Sequence, residues 1–132
     1  MSKVLLDWCF EMNAQFRILL LTIITFTPAS ALAVGALAID GNQGGQYGFS
    51  YDYDNVADAK NRALRECGSG CYIVQVFETG CAAYAADQAQ GSTAYGWGKA
   101  STSNEAKTIA LSYCREYGGR NCIVRVWGCN SK

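Results

Sequence analysis

The sequence contains no histidine. That excludes Ser-His-Asp and Cys-His activation of a nucleophile, histidine-ligated zinc and an imidazole pH switch. Net charge is also missing, since 11 Lys and Arg balance 11 Asp and Glu. A nucleic-acid binder normally carries a basic excess, and a protein held on a membrane surface carries a polybasic patch, so neither class fits. Proline is almost absent. Pro28 is the single one, so nothing after it breaks a helix or strand interior. There is no Gly-x-Ser-x-Gly elbow, Walker loop or Cys-x-x-Cys pair, which removes the commonest signatures of hydrolases, nucleotide-binding loops and redox dithiols.

What is present begins with an apolar run, Ile18 to Phe26, behind Arg17 and ahead of Ala31-Leu32-Ala33. The run is too short to cross a bilayer, which takes about 20 apolar residues. With its small-x-small end it reads as a secretory signal peptide over residues 1–33. Asp7 and Glu11 do not suit a positive leader start, and Met12 opens a leader of ordinary length, so translation is expected to begin at Met12. No cysteine follows the cleavage point, so no lipid anchor is expected. Of seven cysteines, Cys9 falls in the leader; Cys67, Cys71, Cys81, Cys114, Cys122 and Cys129 remain in the single domain expected over residues 34–132. An even set behind a signal peptide reads as a disulfide framework in an oxidising compartment, secreted or periplasmic.

The domain reads as an internal duplication, about 35–80 and 81–130. Gly35-Ala36-Leu37-Ala38 answers Cys81-Ala82-Ala83-Tyr84, and Tyr47-Gly48-Phe49 answers Tyr95-Gly96-Trp97. Ala59, Ala63 and Cys67 answer Ala106, Ala110 and Cys114, while Val74-Gln75-Val76-Phe77 answers Val124-Arg125-Val126-Trp127. Each repeat reads strand, strand, helix, strand. Asp54 or Asn55 suits the first helix N-cap, and Thr102 with Glu105 has capping-box spacing for the second. Val56, Ala59, Ala63 and Cys67 make one apolar helix stripe; Ala106, Ala110, Tyr113, Cys114 and Tyr117 make the other. The expected fold is α+β: an internally duplicated β-β-α-β unit with two helices on one face of a sheet of about six strands. Val74, Val76, Val124 and Val126 are expected to face the helices, leaving Gln75, Phe77, Arg125 and Trp127 on an uncovered face.

These blocks taken together resemble the bacterial domain of unknown function 4189 (DUF4189) from about Gly35 to Asn130. The pattern is Tyr-Gly-x-Trp/Phe, then Ala-x-x-x-Ala-Leu-x-x-Cys, Cys-x-Val-x-Val/Phe-Phe/Trp and Cys-Ala-Ala. The resemblance implies a small exported protein whose six cysteines are structural, and it assigns no catalytic residue. Six cysteines allow fifteen pairings. The repeat suggests Cys67–Cys71, Cys114–Cys122 and Cys81–Cys129.

Other chemistry is thinner. Asp52, Asp54 and Asp58 could ligate calcium, but the glycine and closing glutamate of an EF-hand are missing, and helix capping explains them. Glu66, Glu78, Glu105 and Glu116 could serve a carboxylate-dependent glycan-acting enzyme, but nothing brings two of them together. No metal or cofactor is expected. The expected function is a non-enzymatic exported module that binds another protein through Gln75, Phe77, Arg125 and Trp127, residue types that dominate interface hot spots. Such a module could be a periplasmic inhibitor or immunity protein, or a secreted effector. Homodimerisation through that face, as in a self-associating envelope protein, is the structural alternative.

Overall fold

A computed structural model of the chain describes residues 32–41 and 45–131. The expected leader lies outside the described residues save Leu32 and Ala33, as do Cys9, Met12 and residues 42–44. The elements are β1 (Val34–Asp40), β2 (Tyr47–Tyr53), α1 (Val56–Cys67), β3 (Cys71–Phe77), β4 (Cys81–Asp87), β5 (Tyr95–Ala100), α2 (Ser103–Glu116) and β6 (Cys122–Cys129). Neither helix is long and apolar enough to cross a membrane.

Local chemistry sets the helix ends. Asn55 Oδ1 accepts the Asp58 amide at 2.8 Å, and Thr102 Oγ1 accepts the Glu105 amide at 3.3 Å, each satisfying a donor that the helix start leaves free. Gly68 stops α1 at φ 97°, a conformation that L side chains rarely adopt. The cysteines bond as Cys67–Cys71, Cys81–Cys129 and Cys114–Cys122, the pairs that the repeat suggests. The first and third tie each helix end to the strand that follows. Cys81–Cys129 joins directly paired residues of β4 and β6, with Cα atoms 3.9 Å apart.

The six strands do not form one sheet. They make two antiparallel sheets of three, ordered β2-β1-β3 and β5-β4-β6. The two helices do not share a face either. α1 packs Ala59, Ala63 and Cys67 on Val34, Ala36 and Ala38 of β1, and α2 packs Ala106, Ala110 and Cys114 on Cys81, Ala83 and Ala85 of β4. The opposite faces of the two sheets meet. Leu37, Ile39, Phe49 and Phe77 from one form a single core with Ala82, Tyr84 and Ala86 from the other. The layers therefore run helix, sheet, sheet, helix. The cause is in the central strands, where VGALAID and CAAYAAD are apolar on both faces, so each sheet must be covered on both.

Alternation along the neighbouring strands fits these layers. Tyr47 and Phe49 of β2, and Tyr95 and Trp97 of β5, turn toward the other sheet. Gly48 and Ser50, and Gly96 and Gly98, turn toward the helices. A Cβ on Gly48 would overlap the Ala63 carbonyl oxygen, and one on Gly98 would overlap that of Ala106. Each helix thus lies against its sheet with alanine over glycine, closer than larger side chains would permit. Ser50 fits by donating to the Ala59 carbonyl at 2.7 Å and accepting the Ala36 amide at 3.1 Å.

The final strands correct another expectation. Gln75 pairs with Leu37 but Ile73 pairs with Ala38, which leaves Val74 as a bulged residue; Arg125 is bulged in the same way between the partners of Tyr84 and Ala85. Past a bulge the alternation shifts by one. Val74 and Val126 therefore pack in the core between the sheets, while Val76 packs toward α1. Both bulges stand three residues after the opening cysteine, so Phe77 matches Gly128 and Val76 matches Trp127. Only within these final strands does the match of Val74-Gln75-Val76-Phe77 with Val124-Arg125-Val126-Trp127 fall one residue out of step.

Candidate functional site

The four residues expected to share an uncovered face are dispersed. Phe77 is 1% exposed and stacks on Phe49 at 5.7 Å inside the core. Gln75 points into the same layer, and its buried Oε1 has no hydrogen-bond partner among the described residues. The Arg125 guanidinium sits 5.4 Å from the Tyr47 ring and reaches Gln88 Oε1 at 3.4 Å. Trp127 is 49% exposed but lies on the helix side of its sheet, with Lys107 Nζ of α2 3.8 Å from its ring centre. The second sheet covers the face where they were to meet.

Several of the carboxylates are taken up by partners within the fold. Asp52 accepts the Ser131 amide and hydroxyl, each at 2.6 Å, and Asp58 is held by Asn55. Glu66 takes the Arg62 guanidinium at 2.6 Å and the Phe49 amide at 3.2 Å. Glu78 follows β3, Glu105 lies in the first turn of α2 and Glu116 ends that helix.

An aromatic cleft forms elsewhere, where the outer edge of β5 meets the last turn of α2. One hollow of about 240 Å³ is lined by Gly96, Trp97, Tyr113 and Tyr117. A second, about 280 Å³, is lined by Thr93, Tyr95, Trp97 and Tyr117. They share Trp97 and Tyr117, so they are neighbours. Tyr113 and Tyr117 were expected in the buried stripe of α2, yet they are 47% and 73% exposed. The reason is the close approach of α2 over Gly96 and Gly98, which leaves room only for Ala106, Ala110 and Cys114 and pushes the tyrosines to the rim. Glycine at alternate positions of β5 was the available signal.

The far wall is anchored in the core. Trp97 stacks on Tyr95 at 6.0 Å, and Tyr95 lies 6.3 Å from the fully buried Tyr84. Burial and a hydrogen bond with Tyr72 raise the Tyr95 phenol above its ordinary value. A broader, more open depression of about 630 Å³ lies at Glu78, Thr79, Gly80, Lys99, Ala100 and Ser101. No aromatic side chain walls it, so it offers a ligand less buried contact than the cleft.

Asp87 fixes the loops at one end of the cleft. Its carboxylate accepts the Asn121 amide at 2.9 Å, the Ala89 amide at 3.1 Å and the Arg120 amide at 3.4 Å. A hydrogen bond with the Ser92 hydroxyl, then those amides, hold its pKa below the ordinary carboxylate value. The lowered value contributes stability above the unfolded-state pKa of about 3.9, and this is lost as pH falls through the folded-state value. Asp87→Asn is expected to lower the melting temperature at neutral pH and to flatten its fall on acidification, as read from melts at stepped pH.

The family model for a domain of unknown function (DUF4189) matches residues 34–129, from the first residue of β1 to the last of β6. The chain belongs to this family. No curated protein and no solved structure matches it. The DUF4189 match spans both sheets, both helices and all three disulfides, and thus the whole cleft.

Proposed function

We propose that this DUF4189 protein is an exported, non-enzymatic protein-binding module, and that its contact surface is the Trp97–Tyr113–Tyr117 cleft rather than a face made by Gln75, Phe77, Arg125 and Trp127. The observation that carries this reading is the exposure of Tyr113 and Tyr117 beside a tryptophan anchored in the core. Tyrosine and tryptophan lose little conformational freedom on contact and dominate interface hot spots. Export rests on the leader over residues 1–33 and suits three disulfides. The matching connectivity of the halves, each with its first strand central in its sheet, supports descent from one duplicated unit. In a periplasm such a module fits an inhibitor or immunity role; beyond the cell it fits an effector.

The test is affinity capture from envelope and culture-supernatant fractions with the oxidised chain, alongside N-terminal sequencing of the exported form. The expected results are one stoichiometric partner, lost on reduction of the disulfides, and a mature start near Val34. A glycan-hydrolysing activity abolished by Glu78→Gln or Glu116→Gln would replace this reading with an enzymatic one. Concentration-dependent sedimentation without a partner would replace it with self-association.

A further inference from the structure

We propose that the cleft takes an uncharged, proline-rich segment in the polyproline II conformation; this deepens the binding-module reading and rests on it. Three observations converge. First, no charged side chain lines either hollow. A phosphate, a carboxylate or a polyamine would find no counter-charge there, and desolvating it would be unfavourable.

Second, the lining is supplied with donors and has no carboxylate or side-chain amide. The indole N–H of Trp97 donates to none of the described residues and is not among their buried unpaired atoms. Nor do the hydroxyls of Tyr113, Tyr117 and Thr93 appear in the hydrogen bonds among the described residues. Indole is a donor only, whereas a phenol or an alcohol can donate or accept. A prolyl residue has a carbonyl acceptor and no N–H, so a run of prolines can be satisfied by these donors and leaves none of its own unmet. A sugar ring presents several hydroxyl donors, and the lining offers them no carboxylate or side-chain amide oxygen.

Third, the hollows are paired about a shared aromatic wall, Trp97 and Tyr117. A polyproline II helix has three residues per turn, so residues i and i+3 return to one side about 9 Å apart. On this proposal two such residues take one hollow each, and the chain between them passes over Trp97 and Tyr117. The helix is also preformed, so little conformational entropy is lost on docking into an aromatic groove.

The experiment titrates the oxidised, 15N-labelled chain with a short uncharged peptide of repeated Ala-Pro-Pro triplets and follows the Trp97 indole N–H resonance. An all-alanine peptide of equal length and a chitooligosaccharide serve as comparisons. The expected result is a saturable shift with the proline peptide alone, weakened about tenfold or more by Tyr117→Ala. Tyr117 is exposed enough that this variant should melt as the parent does. An equal response to the alanine peptide overturns the polyproline assignment. So does a response to the oligosaccharide alone, although it leaves the cleft as the site. If neither peptide nor sugar moves the resonance, the ligand class is wrong, and the cleft itself is judged by whether Tyr117→Ala loses the captured partner. The two failures are thereby told apart.

Discussion

Gly48→Ala is expected to cost at least ~3 kcal/mol, or to leave no folded protein. Overpacking of a core commonly costs ~1–3 kcal/mol when side chains can shift. Here the obstacle is backbone: the new methyl would overlap the Ala63 carbonyl oxygen and come within 2.7 Å of the Cys67 amide nitrogen. Relief requires α1 to lift off β1 and β2, and that helix is tethered at its end by Cys67–Cys71. In a domain of about 100 residues such a loss lowers the melting temperature by ~12 °C or more. Gly45→Ala is the control, since nothing lies within 4 Å of its added methyl, and it should stay within ~0.5 kcal/mol of the parent. A Gly48→Ala variant that melts with the parent would contradict the close helix–sheet approach.

Removing Cys81–Cys129 should be the most damaging of the three disulfide deletions. Its partners are 48 residues apart in sequence, against 4 for Cys67–Cys71 and 8 for Cys114–Cys122. On the loop-entropy account the long closure is worth ~4 kcal/mol and the shortest ~2. Cys81→Ala with Cys129→Ala is therefore expected to shift the urea midpoint about twice as far as Cys67→Ala with Cys71→Ala at similar slope. Equal shifts would mean that native contacts, rather than the freedom of the unfolded chain, set the effect.

The elements were legible in the sequence because they rest on short-range chemistry: Asn55 and Thr102 as caps, Gly68 as a stop, and helix stripes of alanine and cysteine. Two of the cysteine pairs were legible because each half sets one cysteine late in its helix and the next at the start of the following strand, 4 residues on in one half and 8 in the other. The division into two sheets was not read, although the signal was there. A strand such as Cys81-Ala82-Ala83-Tyr84-Ala85-Ala86 has no polar face and so belongs between two covers. Once that cover is supplied by the second sheet, Phe77 becomes core. The bulges at Val74 and Arg125 left no mark in composition, because valine and arginine sit as readily in a regular strand; only the pairing exposes them. The cleft escaped notice because Tyr113 and Tyr117 have helical spacing with Ala106 and Ala110. Spacing alone does not tell the centre of a stripe from its rim; the glycines beneath do.

The central claim is that recognition resides at the β5–α2 cleft and not at the residues of the final strands. The most direct measurement compares partner capture by two single variants of exposed aromatics, Tyr117→Ala and Trp127→Ala. The account predicts that Tyr117→Ala loses the partner at least about tenfold while Trp127→Ala holds it as the parent does, both melting normally. Loss with Trp127→Ala and retention with Tyr117→Ala would contradict it and return the site to the β6 edge beside Lys107.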